Sequence, residues 1–581
     1  MTGNKELYFH NLKFDGSFIA NWLLSNGYKW VNKPTQVGEF STLISKHGSW
    51  YSLEIVTKIT GKKKKVIQKT VIYDSLKKLP YSASYIAKSF MLPMLKGEID
   101  YHKPRPIGYV PTVKEIDYLR NDVQIIALAL EKQFQSGLTK MTAGSDAMGN
   151  FKDMIGEKLF KYNFPQFSLE MDTDIRQAYR GGFTWLLDKY RGKDIKGGIV
   201  FDVNSLYPSV MYNAKLPYGT PLTFNGKYQY DPQYPLYIQQ IEVDFKLKEN
   251  HIPTIQIKQN KYFAGNEYLH DTYGTGSVIL TLTNVDLELF LEHYDIIGEI
   301  EYLKGYKFKA FTGAFKNYID KWLAQKIAGR GAVKEQAKLM LNSLYGKFAT
   351  NPDVTGKIPV LVNGVLTFQD GETDYKDPVY TAMGCFITAY AREKTISTAQ
   401  KCYDRIIYCD TDSIHLTGTN IPDAIKDEID PNILGYWKHE STFSRARFLR
   451  QKTYIEDISC DQEHIEEGML VSYPFEGEQH KVISVSDDSL VLKNIGEVPK
   501  NECYFLNVKC AGMAERVKSH VTYDNFKVNF SAEGNLKLKQ VKGGAVLIDS
   551  LFQIKEFGTW KDKLEKLQEK ERKEAGKELV R

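Results

Sequence analysis

The sequence has few cysteines and no long apolar run. Its six cysteines include no C-x-x-C pair and are spread thinly, at Cys385, Cys402, Cys409, Cys460, Cys503 and Cys510. This spacing argues against a zinc site and against a disulfide scaffold, and it fits a reducing compartment. No apolar stretch reaches the length of a membrane span, and the first six residues do not resemble a secretory signal.

The sequence also lacks a strong excess of charge of one sign. Its 77 Lys and Arg face 71 Asp and Glu, so the net charge is +6, which permits a polyanionic partner without arguing for one. No internal repeat is visible. The length of 581 residues predicts several domains. The 37 Tyr and 30 Phe suit stacking on nucleic-acid bases, although many of them are expected in the core.

The most informative stretch of the chain runs from Ile406 to Leu416, where apolar residues flank Asp410 and Asp412. This pattern predicts a strand, a tight turn and a second strand. Carboxylates beside apolar strands are costly unless a positive group lies against them, and oxygen ligands suit Mg²⁺. A hairpin tip whose aspartates merely cap the turn would show the same short motif.

Two other segments could complete such a site. Ile199 to Phe201 predict a buried strand that ends on Asp202 and enters a turn closed by Pro208. Phe315 to Phe348 is the best helical region, ended by Gly346, and its polar residues recur on one stripe at Lys334, Lys338, Asn342 and Tyr345. Such a stripe suits a phosphate-bearing ligand, and a solvated charged face is the alternative.

Together these features offer both halves of phosphoryl transfer from a triphosphate. Carboxylates can hold two cations, and lysines can contact the phosphates.

Two further segments are candidates for contacts with a polyanion. Tyr179-Arg-Gly-Gly182 is either a close backbone approach to a phosphate or a plain turn, and Arg445 to Ile455 is a basic stretch with an aromatic residue.

Three motifs carry a resemblance. Asp202-Val-Asn-Ser-Leu-Tyr-Pro208, Lys338-Leu-Met-Leu-Asn-Ser-Leu-Tyr-Gly346 and Tyr408-Cys-Asp-Thr-Asp-Ser413 resemble motifs A, B and C of the family B DNA polymerases. The match is close to the protein-primed subgroup found in small Bacillus phages, and it extends from about Leu7 to about Lys555. It implies a mixed α/β fold with an α+β palm, arranged as a multidomain right-hand polymerase behind a truncated, RNase H-like exonuclease domain.

The resemblance implies a role for each polymerase residue. Asp202, Asp410 and Asp412 would be catalytic. Two Mg²⁺ ions, or Mn²⁺ in their place, would be bound by Asp202, Asp412 and the Val203 carbonyl. The nucleotide would be contacted by Ser205, Leu206, Tyr207, Lys326, Lys334, Lys338, Asn342 and Tyr345, with Tyr207 excluding a 2′-hydroxyl. DNA would be bound by Tyr179, Gly181, Gly182, Lys452 and Tyr454.

The exonuclease part of the resemblance is incomplete. The matching residues are His10, Asn11, Phe14, Asp15, Phe18, Ser75, Leu76, Lys96, Tyr118 and Asp122. The family also needs an Asp-x-Glu on an earlier strand, and the only acid before Asp15 is Glu6. We therefore expect a chain that starts after that strand, has lost proofreading, and is less stable up to about residue 142 than in the palm.

The resemblance also divides the chain. The expected segments are the exonuclease-like domain (1–142), the palm with motif A (143–213), a first β-rich insertion for the terminal protein (214–313), the fingers (314–349), a second insertion for strand displacement (350–382), the palm with motif C and an extra segment (383–508), the thumb (509–555) and a charged helical tail (556–581). Residues 459–508 look longer than this family needs.

The leading hypothesis is therefore a DNA-directed DNA polymerase that replicates a linear phage genome by protein-primed, strand-displacing synthesis. Its expected partners are primer–template DNA, deoxynucleoside triphosphates and a terminal protein, with no membrane. It would act as a monomer in the cytoplasm of an infected bacterium. The main alternative is a catalytically weakened DNA-binding fragment of such an enzyme. A nuclease is disfavoured by the absent Asp-x-Glu, and a reverse transcriptase by the helix motif that ends at Gly346.

Overall fold

The computed structural model describes residues 4–61, 65–100, 103–106, 108–257, 267–272 and 276–555. The chain forms two compact units. The first contains the described residues of Met1–Thr173, Ala314–Gly384 and Lys537–Ile548, and the second those of Asp174–Gly313, Cys385–Leu536 and Asp549–Arg581. The predicted helical tail (556–581) lies outside the described residues, and the eight segment boundaries stay predictions.

Helices and strands alternate irregularly along the chain. The helices are α1 (Leu12–Ser25), α2 (Ala83–Ser89), α3 (Val113–Gln135), α4 (Ala143–Ile155), α5 (Glu157–Asn163), α6 (Leu169–Arg176), α7 (Leu206–Asn213), α8 (Asn284–His293), α9 (Lys316–Ala328), α10 (Ala332–Phe348), α11 (Thr381–Lys401) and α12 (Glu515–Lys518).

The strands are β1 (Lys5–Phe9), β2 (Lys29–Trp30), β3 (Glu39–Ile44), β4 (Trp50–Thr60), β5 (Val66–Asp74), β6 (Thr184–Leu186), β7 (Asp194–Val203), β8 (Leu216–Asn225), β9 (Leu236–Leu247), β10 (Val278–Thr283), β11 (Tyr294–Phe311), β12 (Lys357–Val362), β13 (Val365–Asp370), β14 (Ile406–Asp410), β15 (Ser413–Thr417), β16 (Trp437–Arg450), β17 (Thr453–Ser459), β18 (Leu470–Ser472), β19 (Gln479–Val485), β20 (Ser489–Leu492), β21 (Gly496–Pro499), β22 (Tyr504–Cys510), β23 (Ser531–Val541) and β24 (Gly544–Gln553).

The first unit begins with a mixed sheet of order β1-β5-β4-β3-β2, packed against α1. The residues from Leu12 to Gly16 predict a turn into a helix, but α1 already starts at Leu12, so the prediction of a turn was wrong. Asn11 makes the turn alone in a left-handed conformation, at φ 66°. Gly16 lies inside the helix because its missing Cβ leaves room for the Trp50 ring, which a Cβ would meet at 2.7 Å.

The residues from Ile116 to Leu130 predict a helix, and the helix that forms, α3, is longer at both ends. Thr112 and Glu115 form a reciprocal capping box that starts α3. Its apolar face, which includes Ile125, Ala129 and Leu130, is buried in a core shared with α2. The helix therefore holds Tyr118 and Asp122 one turn apart, as the sequence predicted.

The long helical region after residue 314 is two helices, α9 and α10. The break falls at Gly329 to Gly331, where Gly331 has a positive φ of 54° and a Cβ would lie 3.2 Å from the carbonyl oxygen of Phe90. The Tyr318 hydroxyl donates to the carbonyl of Met340 at 2.8 Å, which ties the helices together. Gly346 does not end α10, because the helix continues to Phe348, whose ring is buried.

The turn signal Asn363-Gly364 between short strand-like runs predicts a hairpin in the second insertion, and the structure has one. Strands β12 and β13 pair with Val362 opposite Val365 across a two-residue turn at Asn363 and Gly364, both with positive φ. That turn matches the right-handed twist of the strands. Leu366 of the hairpin is buried in the same core as α1 and β3.

The second unit is built on one large sheet of order β21-β20-β19-β18-β22-β17-β16-β7-β15-β14-β6. Buried residues of adjacent strands, among them Val200, Ile407, Tyr408 and Phe448, form its core. All six cysteines are buried, and no disulfide joins them. Among the described residues, no helix is both long and apolar enough to cross a membrane.

Two further parts of the second unit have cores of their own. Residues 214–313 form the predicted β-rich region, with a sheet of order β10-β9-β11-β8 that packs on α8 around Phe245, Phe290 and Tyr294. The segment that starts at Cys510 has a core containing Val517, Phe526 and Ile554.

Candidate active site

The central hairpin has the predicted form. Strands β14 and β15 are antiparallel, and Asp410 pairs with Ser413 across a turn of two residues, Thr411 and Asp412. The amide of Asp412 donates to the carbonyl of Asp410 at 2.7 Å. Both aspartates are half-buried, so their carboxylates reach the surface at the hairpin tip.

Asp202 lies beside this tip because of the strand register. Strand β7 neighbours β15, and Asp202 at its end pairs with Ser413. The next residue, Val203, donates its amide to the carbonyl of Asp412 at 2.7 Å. Residues more than two hundred positions apart in the chain thereby place Asp202, Asp410 and Asp412 at the same end of adjacent strands.

The turn is held in an unfavourable conformation. Thr411 has φ 61°, which is rare for a β-branched residue and is maintained only by surrounding contacts. Its amide donates to the carbonyl of Phe183 at 2.6 Å, and its carbonyl accepts a hydrogen bond from the Thr395 hydroxyl of α11 at 2.7 Å. Sequence reasoning missed Thr395, because a lone threonine in a helix has no distinctive pattern.

Asp410 is engaged by two neighbours. Lys452 Nζ lies 2.7 Å from Asp410 Oδ1, and the Tyr408 hydroxyl donates to Asp410 Oδ2 at 3.1 Å. The Lys452 amide in turn donates to the Tyr408 oxygen at 2.9 Å. Burial and the charge of Asp410 raise the pKa of Tyr408 well above its usual value, so the hydroxyl stays a donor.

Asp412 is the less compensated of the two hairpin carboxylates. Burial raises its pKa above the ordinary value, and Asp410 and Glu440 raise it further, while Lys452 opposes them. Within the described residues, no group of three or more His, Cys, Asp or Glu side chains is arranged to hold a metal ion. Any cation at this tip would therefore be bound by two carboxylates together with backbone or substrate oxygens.

Ser205, Leu206 and Tyr207 follow Asp202 directly. Ser205 has φ 58° and starts α7, so the turn after β7 takes only two residues. Pro208 does not close that turn, as the sequence predicted, but lies in the first turn of α7, where its missing amide is tolerated. The Leu206 side chain is buried, and Tyr207 is half-buried.

The loop from Tyr179 to Gly182 packs on the hairpin tip. A Cβ on Gly182 would lie 2.6 Å from Thr411 Oγ1, so this position requires glycine. Gly181 has no such neighbour. The buried Arg392 of α11 donates to the carbonyls of Arg180 at 2.7 Å and Gly181 at 2.9 Å.

Arg392 also forms a bidentate ion pair with Asp286 of α8, with three N–O contacts of 2.8 to 3.1 Å. Burial lowers the pKa of the neighbouring Arg180 to about 10, and Asp286 opposes this effect. Sequence analysis missed Arg392 and Asp286. No local signal marks Arg392, because it begins the charged run Arg392-Glu393-Lys394, which is typical of a solvated helix face.

The basic stretch from Arg445 to Ile455 belongs to the hairpin of β16 and β17. Its arginines bind other residues of the protein. Arg445 pairs with Asp457, Arg447 pairs with Asp194, and Arg450 is buried and donates to Thr453. Lys452 at the turn is the exposed cation, with 57% of its side chain accessible. Tyr454 is buried and stacks on Phe448.

The lysine stripe lies in the first unit, on α9 and α10. Lys334 and Asn342 are exposed, while Lys326, Lys338 and Tyr345 are half-buried. Lys338 Nζ lies 2.8 Å from Oε1 of Glu335, a buried carboxylate that also accepts from the Tyr85 hydroxyl at 3.2 Å. One lysine of the stripe is therefore already paired with a carboxylate of the same helix.

The residues matched to an exonuclease site are also in the first unit. His10 contacts the Ser75 hydroxyl and donates from Nε2 to the carbonyl of Tyr81 at 2.8 Å, and the Asn11 amide donates to Asp74. Phe14 and Phe18 stack edge to face, and Leu76 is half-buried. Burial and Asp74 raise the pKa of Asp15.

Among the remaining residues matched to an exonuclease site, Lys96 Nζ lies 3.4 Å from Asp122 and over the Tyr118 ring. The second oxygen of Asp122, Oδ1, is buried without a hydrogen-bond partner. Such an orphaned carboxylate oxygen is what remains at an oxygen-ligand site, but the described residues offer no group of three such ligands around it.

Comparisons with known proteins identify the family of this chain. The profile of the family "DNA polymerase type B, organellar and viral" matches residues 1–431. DNA polymerases of Bacillus phages B103 and phi29 are each 55% identical over 95% of this chain, which spans 91% and 90% of their lengths. The DNA polymerase of Streptococcus phage Cp-1 is 32% identical over 96% of the chain.

Comparison with solved structures also identifies a DNA polymerase. The chain resembles phi29 DNA polymerase complexed with single-stranded DNA at a TM-score of 0.84 and 53% identity, covering 95% of this chain and 91% of that one. It resembles the ternary complex with primer-template DNA and incoming nucleotides at a TM-score of 0.82 and 54% identity, with the same coverage. The chain belongs to the type B DNA polymerases and has their right-hand fold. It is a DNA-directed DNA polymerase of the phi29 type.

Proposed function

We propose that the chain extends DNA by two-metal nucleotidyl transfer, with Asp202 and Asp412 as the metal ligands and Asp410 completing the acidic cluster. The observation that carries the proposal is the pairing of Asp202 with Ser413, together with the hydrogen bond from Val203 to the Asp412 carbonyl. Hard carboxylate and carbonyl oxygens suit Mg²⁺, with Mn²⁺ as a substitute, so Asp202, Asp412 and the Val203 carbonyl fit such ions.

In the reaction, a 3′-hydroxyl oxygen forms a bond to the α-phosphorus, and the bond to the leaving pyrophosphate breaks. Bound divalent ions would lower the cost of the negative charge on the attacking and leaving oxygens. The lysines of α9 and α10 would hold the triphosphate: Lys326, Lys334 and Lys338, with Asn342 and Tyr345 beside them. Ser205, Leu206 and Tyr207 would line the sugar, with Leu206 contributing its backbone because its side chain is buried.

The template and primer would be held by the loop containing Tyr179, Gly181 and Gly182, and by Lys452 at the β16–β17 turn. Tyr454 is buried, so it would act by supporting this turn rather than by touching DNA. The exposure of Lys452 supports its part, although its ion pair with Asp410 gives it a second role.

The test of the metal assignment is single-turnover primer extension by Asp412→Asn. Losing a ligand charge should slow the chemical step by about three orders of magnitude or more, since metal stabilisation supplies several kcal/mol of the barrier. Asp404→Asn, a change of the same kind at an exposed residue just before β14, is the matched control. Extension by Asp412→Asn at the control rate would refute the assignment.

We further propose that synthesis is protein-primed and strand-displacing, in the cytoplasm of an infected bacterium and with the polymerase as a monomer. The resemblance assigns terminal-protein contacts to residues 214–313 and displacement to residues 350–382. Replacing the hairpin Lys357–Asp370 with a two-residue turn should abolish extension through a downstream duplex, while extension on an open template continues. Equal loss on both templates would show that the hairpin has no specific part in displacement.

A further inference from the structure

Residues 459–508 form an additional sheet at the edge of the catalytic sheet. Strands β18 to β21 continue the sheet outward from β22, starting from one pairing of Ser472 with Tyr504. We call them the inserted sheet. They enclose a separate core that contains Val471, Val482 and Leu490. The amide of Cys460 donates to the carbonyl of Cys503 at 2.9 Å, so both ends of the inserted sheet leave the β17–β22 hairpin at one point.

The charge of this segment argues against contact with DNA. Residues 459–508 contain ten Asp and Glu and three Lys, in a chain whose net charge is +6. A surface with such an excess of carboxylates repels phosphates. The charge of this segment therefore favours a contact with protein over a contact with nucleic acid.

The turn after β18, the innermost strand of the inserted sheet, contacts the catalytic sheet at Arg445. Glu476 in this turn lies 2.9 Å from Arg445 Nη1, and the neighbouring Phe475 ring lies 6.0 Å from the guanidinium. Phe475 also packs on Tyr504 of β22, at 4.8 Å between ring centroids. The inserted sheet is thus attached at its base and again at this turn, which limits its freedom to pivot.

Arg445 also holds the segment that follows Cys510. Its guanidinium lies 3.6 Å from the centroid of the Tyr523 ring, and the Tyr523 hydroxyl donates to the Arg445 carbonyl at 2.7 Å. Asp457 of β17 fixes the same guanidinium from the other side, at 3.4 Å. One side chain therefore joins the inserted sheet, the catalytic sheet and the predicted thumb.

A cleft of about 400 Å³ is lined by Leu470 and Gln479 of the inserted sheet, by the neighbouring Met469, and by Lys518 and Val521 of the predicted thumb. The inserted sheet and the predicted thumb are therefore not tightly packed at this place, and the link through Arg445 is a direct route by which one restrains the other.

We infer that the inserted sheet is a brace for the predicted thumb and that Glu476 and Arg445 are its positioning residues. The brace keeps residues 509–555 in the orientation that retains DNA, and it takes no part in the chemical step. This inference rests on the proposed function, because it assigns DNA retention to that segment.

The test compares two glutamates of one turn in the full-length chain. Glu476→Gln removes the charge that meets Arg445, and Glu478→Gln makes the same change at an exposed position two residues later. We expect Glu476→Gln to speed dissociation of a labelled primer–template by about two- to fivefold, the range for a partly exposed ion pair. Glu478→Gln should leave dissociation unchanged, and both variants should keep the wild-type single-turnover incorporation rate and melting temperature.

A second variant removes the brace by joining Asp461 to Glu502 through a short Gly-Ser turn that closes the β17–β22 hairpin. It should dissociate from DNA faster than Glu476→Gln and still incorporate a bound nucleotide at the wild-type rate. Equal dissociation rates for Glu476→Gln and Glu478→Gln would overturn the inference, whether or not the shortened chain folds. If the wild type itself fails to extend a primer, the proposed function is at fault instead.

Discussion

Lys452 Nζ lies 2.7 Å from Asp410 Oδ1, and the same lysine donates its amide to the Tyr408 hydroxyl that holds the other oxygen of that carboxylate. A residue expected to touch the primer therefore also neutralises one of the hairpin aspartates. This relationship separates the roles of Asp410 and Asp412, because no cation among the described residues lies as close to Asp412, and burial and the charge of Asp410 raise its pKa.

Replacing Lys452 with Met should slow the chemical step more than it weakens DNA binding. Without the ammonium, the uncompensated negative charge of Asp410 repels anions at the site, and the pKa of Asp412 rises further because Lys452 no longer opposes it. We expect a drop of about tenfold or more in single-turnover incorporation, and partial recovery in Lys452→Arg. If Lys452 acted only on a DNA phosphate, its loss would instead lower the salt dependence of DNA binding and spare the rate.

Replacing Gly182 with Ala should disturb the hairpin tip. The new Cβ would lie 2.6 Å from Thr411 Oγ1, so the loop or the turn must move, at a cost of about 1–3 kcal/mol in unfolding free energy. Gly181→Ala is the stability control, since a Cβ there meets nothing within 4 Å.

The double variant Gly182→Ala, Thr411→Gly should regain stability, because glycine removes the clashing atoms and tolerates the positive φ. Urea unfolding of the four proteins measures this. Equal midpoints for the two single alanine variants would mean that the loop does not press on Thr411.

Replacing Tyr207 with Val should admit ribonucleotides. The half-buried ring follows Asp202 by five residues at the start of α7, where Pro208 stiffens the backbone behind it. We expect the ratio of ribonucleotide to deoxynucleotide incorporation to rise by about tenfold or more, the scale of a lost steric clash in a binding pocket. Tyr207→Phe keeps the ring and should keep the discrimination. An unchanged ratio in Tyr207→Val would place the selection elsewhere.

Replacing Lys338 with Met should affect both nucleotide binding and stability, and a second change separates them. The variant leaves the buried Glu335 carboxylate without its cation, which destabilises α10. Adding Glu335→Gln removes that charge and should restore the melting temperature, while KM for the nucleotide stays raised. Recovery of KM in the double variant would show that Lys338 acts only through helix stability.

The stability of the second unit should carry a pH dependence from Asp457. Burial raises the pKa of this carboxyl from 3.8 to about 6, and Glu476 raises it while Arg445 opposes the shift. Because the folded state binds this proton more tightly than the unfolded chain, the contribution of Asp457 to stability falls as the pH rises from about 4 through about 6.

Asp457→Asn removes this titration. When the pH is raised from about 4.5 to about 7.5, the unfolding free energy of the wild type should therefore fall relative to that of the variant. The other carboxylates are present in both proteins, so their contributions to the pH dependence cancel when the urea midpoints are compared. A smaller loss in the wild type than in Asp457→Asn would contradict the direction of the shift.

The sequence alone was sufficient for the elements whose pattern is local. The alternation from Ile406 to Leu416 predicted the β14–β15 hairpin, and the apolar run before Asp202 predicted the end of β7. The recurrence of Lys334, Lys338, Asn342 and Tyr345 predicted one face of α10, and Asn363-Gly364 predicted the turn of the second insertion. In each case neighbouring residues determine backbone conformation, through side-chain periodicity or tolerance of positive φ.

Only the tertiary structure decided which charges meet. The pairs Arg392–Asp286, Lys452–Asp410 and Arg445–Glu476 join residues that are 31 to 106 positions apart, or belong to different strands and turns, so no local period encodes them. The contact of Gly182 with Thr411 depends on the register of β6, β14 and β15 in one sheet. Strand register and helix packing bring such distant residues together, because they are set by burial of the whole core and not by any one segment.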